Sequence, residues 1–223
     1  MSSVALLRTR PRLRDAFAAL ALILATGATS QAAGPSFAAS AAYRNLVKNS
    51  GGIKTLSSVV DVQTKLRGFP PITLRLHGHS YYEAPLKSAT VFENVPGPLK
   101  KMLSDSPSIA PAAAWGDVYE VTIESDVAGK STFHLVPKDA ASNLDHIDAL
   151  VNDASGLVEE YDFESKNGAS TTTYNSYTVV SGYPLVTSQT GTSHGHGYNA
   201  DVTTSFSNYE INGQLPAGAF DKE

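Results

Sequence analysis

Cysteine is absent from the 223-residue chain, which excludes a disulfide framework and a lipid-bearing N-terminal cysteine. Long apolar runs are also lacking. Beyond residue 32 no stretch of 18 apolar residues occurs, so that part of the chain carries no helix able to span a bilayer. Basic residues are in the minority, with 17 Lys and Arg against 21 Asp and Glu, and four of the arginines are crowded at the N-terminus. There Arg8, Arg10, Arg12 and Arg14 precede an apolar run from Ala16 to Ala25, and Ser30 and Ala32 put small residues where a signal peptidase reads. This is the layout of a secretory signal peptide. About ten apolar residues are too few to cross a bilayer of roughly 30 Å, and the arginines alternate with other residues rather than forming a twin pair, so the general export route is expected. Removing residues 1 to 32 takes away four arginines and Asp15, leaving 13 basic and 20 acidic residues and a net charge of −7. An exported domain so acidic is not built for nucleic acid, whose phosphates repel it, nor for electrostatic attachment to anionic lipid.

What remains, residues 33 to 223, has the length of one large β domain, and a hydrophobic content of 42% permits a substantial core. Its centre is the stretch from Trp115 to Phe163. Val118 to Glu124 sets Tyr119, Val121 and Ile123 against Glu120, Thr122 and Glu124, the period-two pattern of a half-buried strand. A turn with Gly129 leads to a second strand from Ser131 to Val136, stopped by Pro137. Leu144 to Val151 and Leu157 to Phe163 form a third and a fourth, joined by Asn152-Asp-Ala-Ser-Gly156. Connections this short leave no room for crossover helices, so the four strands pair as an antiparallel meander.

Upstream, Ser36 is positioned to cap a helix in which Ala39, Ala42, Tyr43, Leu46 and Val47 share a face, and Gly51-Gly52 ends it. Leu56 to Arg67 alternates, as do Ile72, Leu74 and Leu76 against Thr73, Arg75 and His77, giving a long strand pair turned at Phe69-Pro-Pro71. Tyr81-Tyr82 and Lys87 to Val95 are two more strand candidates. Between Pro96 and Ala114 lies an insertion in which Leu99, Met102 and Leu103 fall on one side of a short amphipathic helix. It reads equally as a loop capping the core and as a mobile lid. Thr171 to Val180, Leu185 to Thr190, Tyr198 to Phe206 and Tyr209 to Ile211 complete roughly eleven strands. The expected fold is mainly β with two short helical pieces: a highly curved antiparallel sheet forming an unclosed half-barrel whose concave side the helices fill.

Several segments in order carry a resemblance to a known family: Tyr43-Arg-Asn-Leu46 on the helix, Gly52-Ile-Lys-Thr-Leu56, the proline-bounded insertion, Phe133-His-Leu-Val-Pro137, Ile147 to Val158, Gly182-Tyr-Pro-Leu-Val186 and Phe206-Ser-Asn-Tyr-Glu-Ile-Asn212. From about Tyr43 to Phe220 the chain resembles the LolA/LolB-like outer-membrane lipoprotein carriers. The resemblance implies an unclosed β-barrel with a helical lid, an apolar cavity for acyl chains and a periplasmic location. Those carriers hold the lid with an arginine to which neither Arg67 nor Arg75 is matched.

Three constellations invite chemical readings. Gly191-Thr-Ser193-His-Gly195 fits the G-x-S-x-G nucleophile elbow of α/β-hydrolases, but Tyr198 to Phe206, just downstream, alternates like a strand, and no histidine lies beyond His196 to complete a triad. His77-Gly-His79 and His194-Gly-His196 are H-x-H pairs whose imidazoles could chelate a metal if the two segments met; they read instead as two separate exposed turns. His146 and Asp148 share a face of their strand, with Glu159 and Glu160 nearby, as solvated charges without assigned chemistry. No catalytic residue, metal ligand or cofactor is therefore assigned.

The expected function is a periplasmic carrier that holds an acyl chain of a lipid or acylated protein in an apolar cavity. Leu74, Leu76, Tyr119, Val121, Ile123, Phe133 and Leu135 are its expected walls, and Leu99, Met102 and Leu103 its lid. A membrane-bound donor or acceptor is compatible with that role. The competing readings are a sensor or protein-interaction module on the same scaffold and an exported hydrolase.

Overall fold

The computed structural model describes residues 37–67, 70–93, 95, 109–195 and 198–221. Residues 1 to 32, with the layout of a signal peptide, and the lid residues Leu99, Met102 and Leu103 lie outside these described residues. Helix α1 spans Ala41–Ser50 and is capped by Ser40, not Ser36: the Ser40 hydroxyl accepts the Tyr43 N–H at 3.2 Å. Ala42, Leu46 and Ser50, spaced by four, form its buried stripe, and Gly51 closes it with an N–H bond to the Lys48 carbonyl.

Among the described residues ten strands follow: β1 (Thr55–Arg67), β2 (Ile72–Glu83), β3 (Lys87–Phe92), β4 (Tyr119–Val127), β5 (Lys130–Pro137), β6 (Leu144–Asn152), β7 (Val158–Ser165), β8 (Ser170–Val180), β9 (Tyr183–Gly195) and β10 (Tyr198–Ile211). Two expected divisions disappear. Tyr81-Tyr82 continues β2, and Tyr209 to Ile211 continues β10, although Asn208 sits at φ 52° within that strand. Before β4 the chain makes a 3-10 turn at Ala112–Ala114 and a one-turn helix α2 (Trp115–Val118), so the Trp115 end of the meander is helical.

All ten strands belong to one antiparallel sheet in the order β3-β2-β1-β10-β9-β8-β7-β6-β5-β4. β3 and β4 are its two edges, and the curved sheet does not close. Its β4–β5 and β8–β9 hairpins use two-residue turns, Ala128-Gly129 and Ser181-Gly182, with φ positive at every position, the backbone whose twist matches that of paired strands.

One face of the sheet is covered. Trp115, Tyr43 and Phe133 meet there with ring centroids 5.9 to 6.4 Å apart, and Phe37, Leu46, Ile109, Ile147, Val158 and Tyr161 pack around them. α1 is seated on the β6–β7 turn by two asparagines one helical turn apart. Asn45 Nδ2 donates to the Asp153 carbonyl and Asn49 Nδ2 to the Ser155 carbonyl, each at 2.8 Å. Gly156 makes the close approach possible, since a Cβ there would lie 2.4 Å from helix backbone atoms of Asn45 and Leu46.

Candidate functional site: the inner face of the sheet

Alternation within a strand identifies a face, but register decides which faces are shared. One unbroken row of directly paired residues crosses nine strands: Leu74, Thr64, Val202, Gly191, Thr173, Tyr161, Ala149, Phe133 and Ile123. The adjacent row runs from Ile72 through Leu66, Ala200, Ser193, Thr171, Phe163, Ile147 and Leu135 to Val121. Leu76 is paired with Val62 and Tyr119 with Pro137 on the same side. All seven expected wall residues therefore share the inner face, at opposite margins of the sheet.

Their environments differ. Phe133 and Leu135 are wholly buried under Trp115 and α1, and Tyr119 nearly so, its hydroxyl accepting the Ala110 N–H at 3.1 Å. These three form the packed floor of one wall. Val121 and Ile123 lie at its open rim, partly buried against it, while Leu74 and Leu76 stand partly exposed at the far margin, where Leu76 packs with Val60, Val62 and Phe206. Of the insertion, Ile109 and Ala112 to Ala114 are buried. They are fastened by Trp115 Nε1 donating to the Ala110 carbonyl and Tyr43 Oη to that of Ala112, both at 3.0 Å. The expected mobile segment, placed from Pro96 to Ala114, thus ends in a fixed anchor from Ile109 onward.

Between the two apolar margins the face is small and polar. Thr64, Thr171, Thr173, Gln189, Ser193 and Thr204 are all buried there, a band that alternation did not separate from the walls. Thr171 Oγ1 donates to Ser193 Oγ at 3.1 Å, and Gln189 Nε2 to Asn175 Oδ1 at 2.9 Å. Backbones approach closely in this band: a Cβ at Gly191 would come within 2.1 Å of the Thr172 carbonyl oxygen, so glycine allows the strands to approach. Among the described residues no charged side chain is buried. Burial pushes the tyrosine hydroxyls of this side up from their ordinary range, most strongly for Tyr161 and also for Tyr177 and Tyr209. They are neutral donors at any physiological pH, Tyr177 to the Val158 carbonyl and Tyr209 to that of Val186.

The remaining sequence candidates lie elsewhere. Ser193 sits within β9, 1% exposed, rather than on a strand-to-helix turn, which removes the geometry of a nucleophile elbow. His77 and His79 are on β2, beside Asp61 and Glu93, whereas His194 is on β9, paired with Asn199; β1 and β10 intervene. Three inter-strand spacings amount to about 14 Å, so these segments do not meet; His196 lies outside the described residues. Arg67 faces outward in a two-pronged ion pair with Asp201, and Arg75 bonds Gln63, so neither reaches the inner face.

This architecture recurs in solved structures. A DUF1329 family protein from Desulfovibrio piger superposes with a TM-score of 0.59 at 13% identity, over 81% of this chain and 96% of that one. A putative outer membrane lipoprotein-sorting protein domain from Vibrio parahaemolyticus matches with a TM-score of 0.58 at 12% identity, over 82% and 95% of the two chains. A LolA superfamily protein from Nitrosomonas europaea matches with a TM-score of 0.51 at 13% identity, over 77% and 91%. No family model and no curated protein matches the sequence. The chain thus has the LolA-like fold, shared with these proteins at the level of backbone architecture.

Proposed function

We propose that the protein is a periplasmic carrier, non-enzymatic, which holds an acyl chain of a lipid or acylated protein against the inner face once residues 1 to 32 have been removed. The observation that carries this reading is the pair of partly exposed apolar margins, Leu74 and Leu76 on β2 and Val121 and Ile123 on β4, on the same face of one curved sheet, with Leu74 and Ile123 at opposite ends of one register row. An apolar chain laid between them removes water from both. A chain of about 14 carbons gains on the order of 10 kcal/mol at roughly 0.8 kcal/mol per buried CH₂, before immobilisation costs. That is close to what it loses on leaving a bilayer, so cargo can be exchanged rather than trapped. The lipoprotein-sorting description of one structural relative is in keeping with this role.

The test is uptake of a fluorescent fatty acid by delipidated protein, with folding followed by circular dichroism. Val121→Glu places a carboxylate on the rim, where an acyl chain leaves it unsolvated, and is expected to abolish uptake. Tyr174→Ala, on the outer face, is expected to leave uptake unchanged. A folded Val121→Glu protein with wild-type affinity removes this wall from the site, and a wild type that takes up no fatty acid refutes the carrier.

A further inference from the structure

The outer face of the β5–β6 hairpin carries a cluster of two histidines and a carboxylate. His134 on β5 is directly opposite Asp148 on β6, and His146 lies two residues from Asp148 on the same side, so register brings together three side chains that sequence separates. One ligand atom from each lies within 4.8 Å of the other two. His134 Nδ1 is 2.7 Å and His146 Nε2 3.7 Å from the two oxygens of Asp148, and the imidazole centroids are 4.8 Å apart. Ligands bound tetrahedrally to a metal at about 2.1 Å sit about 3.4 Å from one another, a separation the observed distances bracket.

We infer that His134, His146 and Asp148 form a binding site for a divalent transition metal of the zinc class. The setting of His146 supports this. Its Nδ1 is 3.0 Å from Asp145 Oδ2, so the carboxylate accepts a hydrogen bond from Nδ1–H and leaves the Nε2 lone pair directed at the cluster, as the outer carboxylates of metal-bound histidines do. The surroundings favour a cation. Glu124 lies 3.8 Å from His134 and Glu164 4.0 Å from His146, either able to supply a further oxygen, and Asp162 is paired in register with Asp148. Among the described residues, no lysine or arginine ion pair reaches any of these carboxylates. The three ligands are each about a quarter exposed, so the metal has a route in and keeps an open position for water. Two nitrogens and a carboxylate oxygen suit zinc or copper better than calcium or magnesium.

The experiment uses untagged protein stripped with a chelator and titrated with zinc chloride by calorimetry, with bound metal measured after dialysis. One equivalent per chain is expected. The His134→Gln/His146→Gln double variant should lose at least 10-fold in affinity, and Asp145→Asn 10-fold or more through the misdirected ring. His77→Gln/His79→Gln should bind as wild type. All variants alter the solvent-facing side of the sheet, and an unchanged urea midpoint verifies their folding. Cobalt replacing zinc should give the visible absorption of a low-coordinate nitrogen and oxygen site, lost in the double variant. A wild type that retains no zinc, a double variant that retains it undiminished, or loss on changing His77 and His79 instead each overturns the assignment.

Discussion

Replacing Gly156 with alanine isolates the seating of α1 on the sheet. Gly156 has φ +65°, a conformation that costs a residue with a Cβ about 1 kcal/mol or somewhat more. The added methyl would also lie 2.4 Å from backbone atoms of Asn45 and Leu46, so the turn and the helix must separate. Separation weakens the bonds from Asn45 to Asp153 and from Asn49 to Ser155, at about 1 kcal/mol each. The expected loss is therefore about 3 to 4 kcal/mol, or roughly 10 °C in melting temperature for a domain of this size. Gly129→Ala is the internal control. Gly129 also has positive φ, at +78°, but nothing lies within 4 Å of its would-be Cβ, so strain alone should cost about 1 kcal/mol. Urea unfolding of both variants measures the difference. If Gly156→Ala lost no more than Gly129→Ala, the helix would not depend on this contact, and its part in covering the inner face would have to be reassigned.

Two further outcomes are expected. Because burial raises the hydroxyls of Tyr161, Tyr177 and Tyr209 above the unfolded value near 10, the unfolded chain releases protons first; stability is fully present below pH 10 and falls as pH rises beyond it. The urea midpoint measured between pH 8 and pH 11 should show this decline, and Tyr177→Phe should reduce its slope. Gly191→Ala should cost about 1 to 3 kcal/mol by thermal melting, because the new Cβ meets the Thr172 carbonyl rather than a side chain that can turn aside; an unchanged melting temperature would mean that the approach of β8 to Gly191 is not a tight one.

The β4 to β7 meander was legible because each strand alternates over a short span and each turn contains glycine or asparagine, information held within about ten residues. The ends of elements were less so. Ser36 and Ser40 are both capping residues by chemistry, and only the docking of Ala42 and Leu46 selects Ser40. His77-Gly-His79 has the composition of a turn, yet Gly78 lies inside β2, where a Cβ would meet the Val91 carbonyl oxygen at 2.2 Å and the glycine lets β3 lie close. What sequence could not supply was register. His146 and Asp148 were visible as neighbours on one face, but His134 joins them only through the β5–β6 pairing, and the buried polar band from Thr171 to Thr204 emerges only when the strands that carry it are aligned.

The two edges of the sheet, unpaired among the described residues, bear on how much it can hold. In a closed barrel, strand number and shear fix the diameter, and widening it means breaking a ladder. Here no ladder joins β3 to β4, so the gap between the β2 and β4 margins is set by twist and coil, which change by small rotations at every strand without the loss of a hydrogen bond. Such a sheet works as a spring clip rather than a socket. Bulkier and slimmer chains fit the same two apolar margins, and selection among them falls to whatever crosses the polar band between.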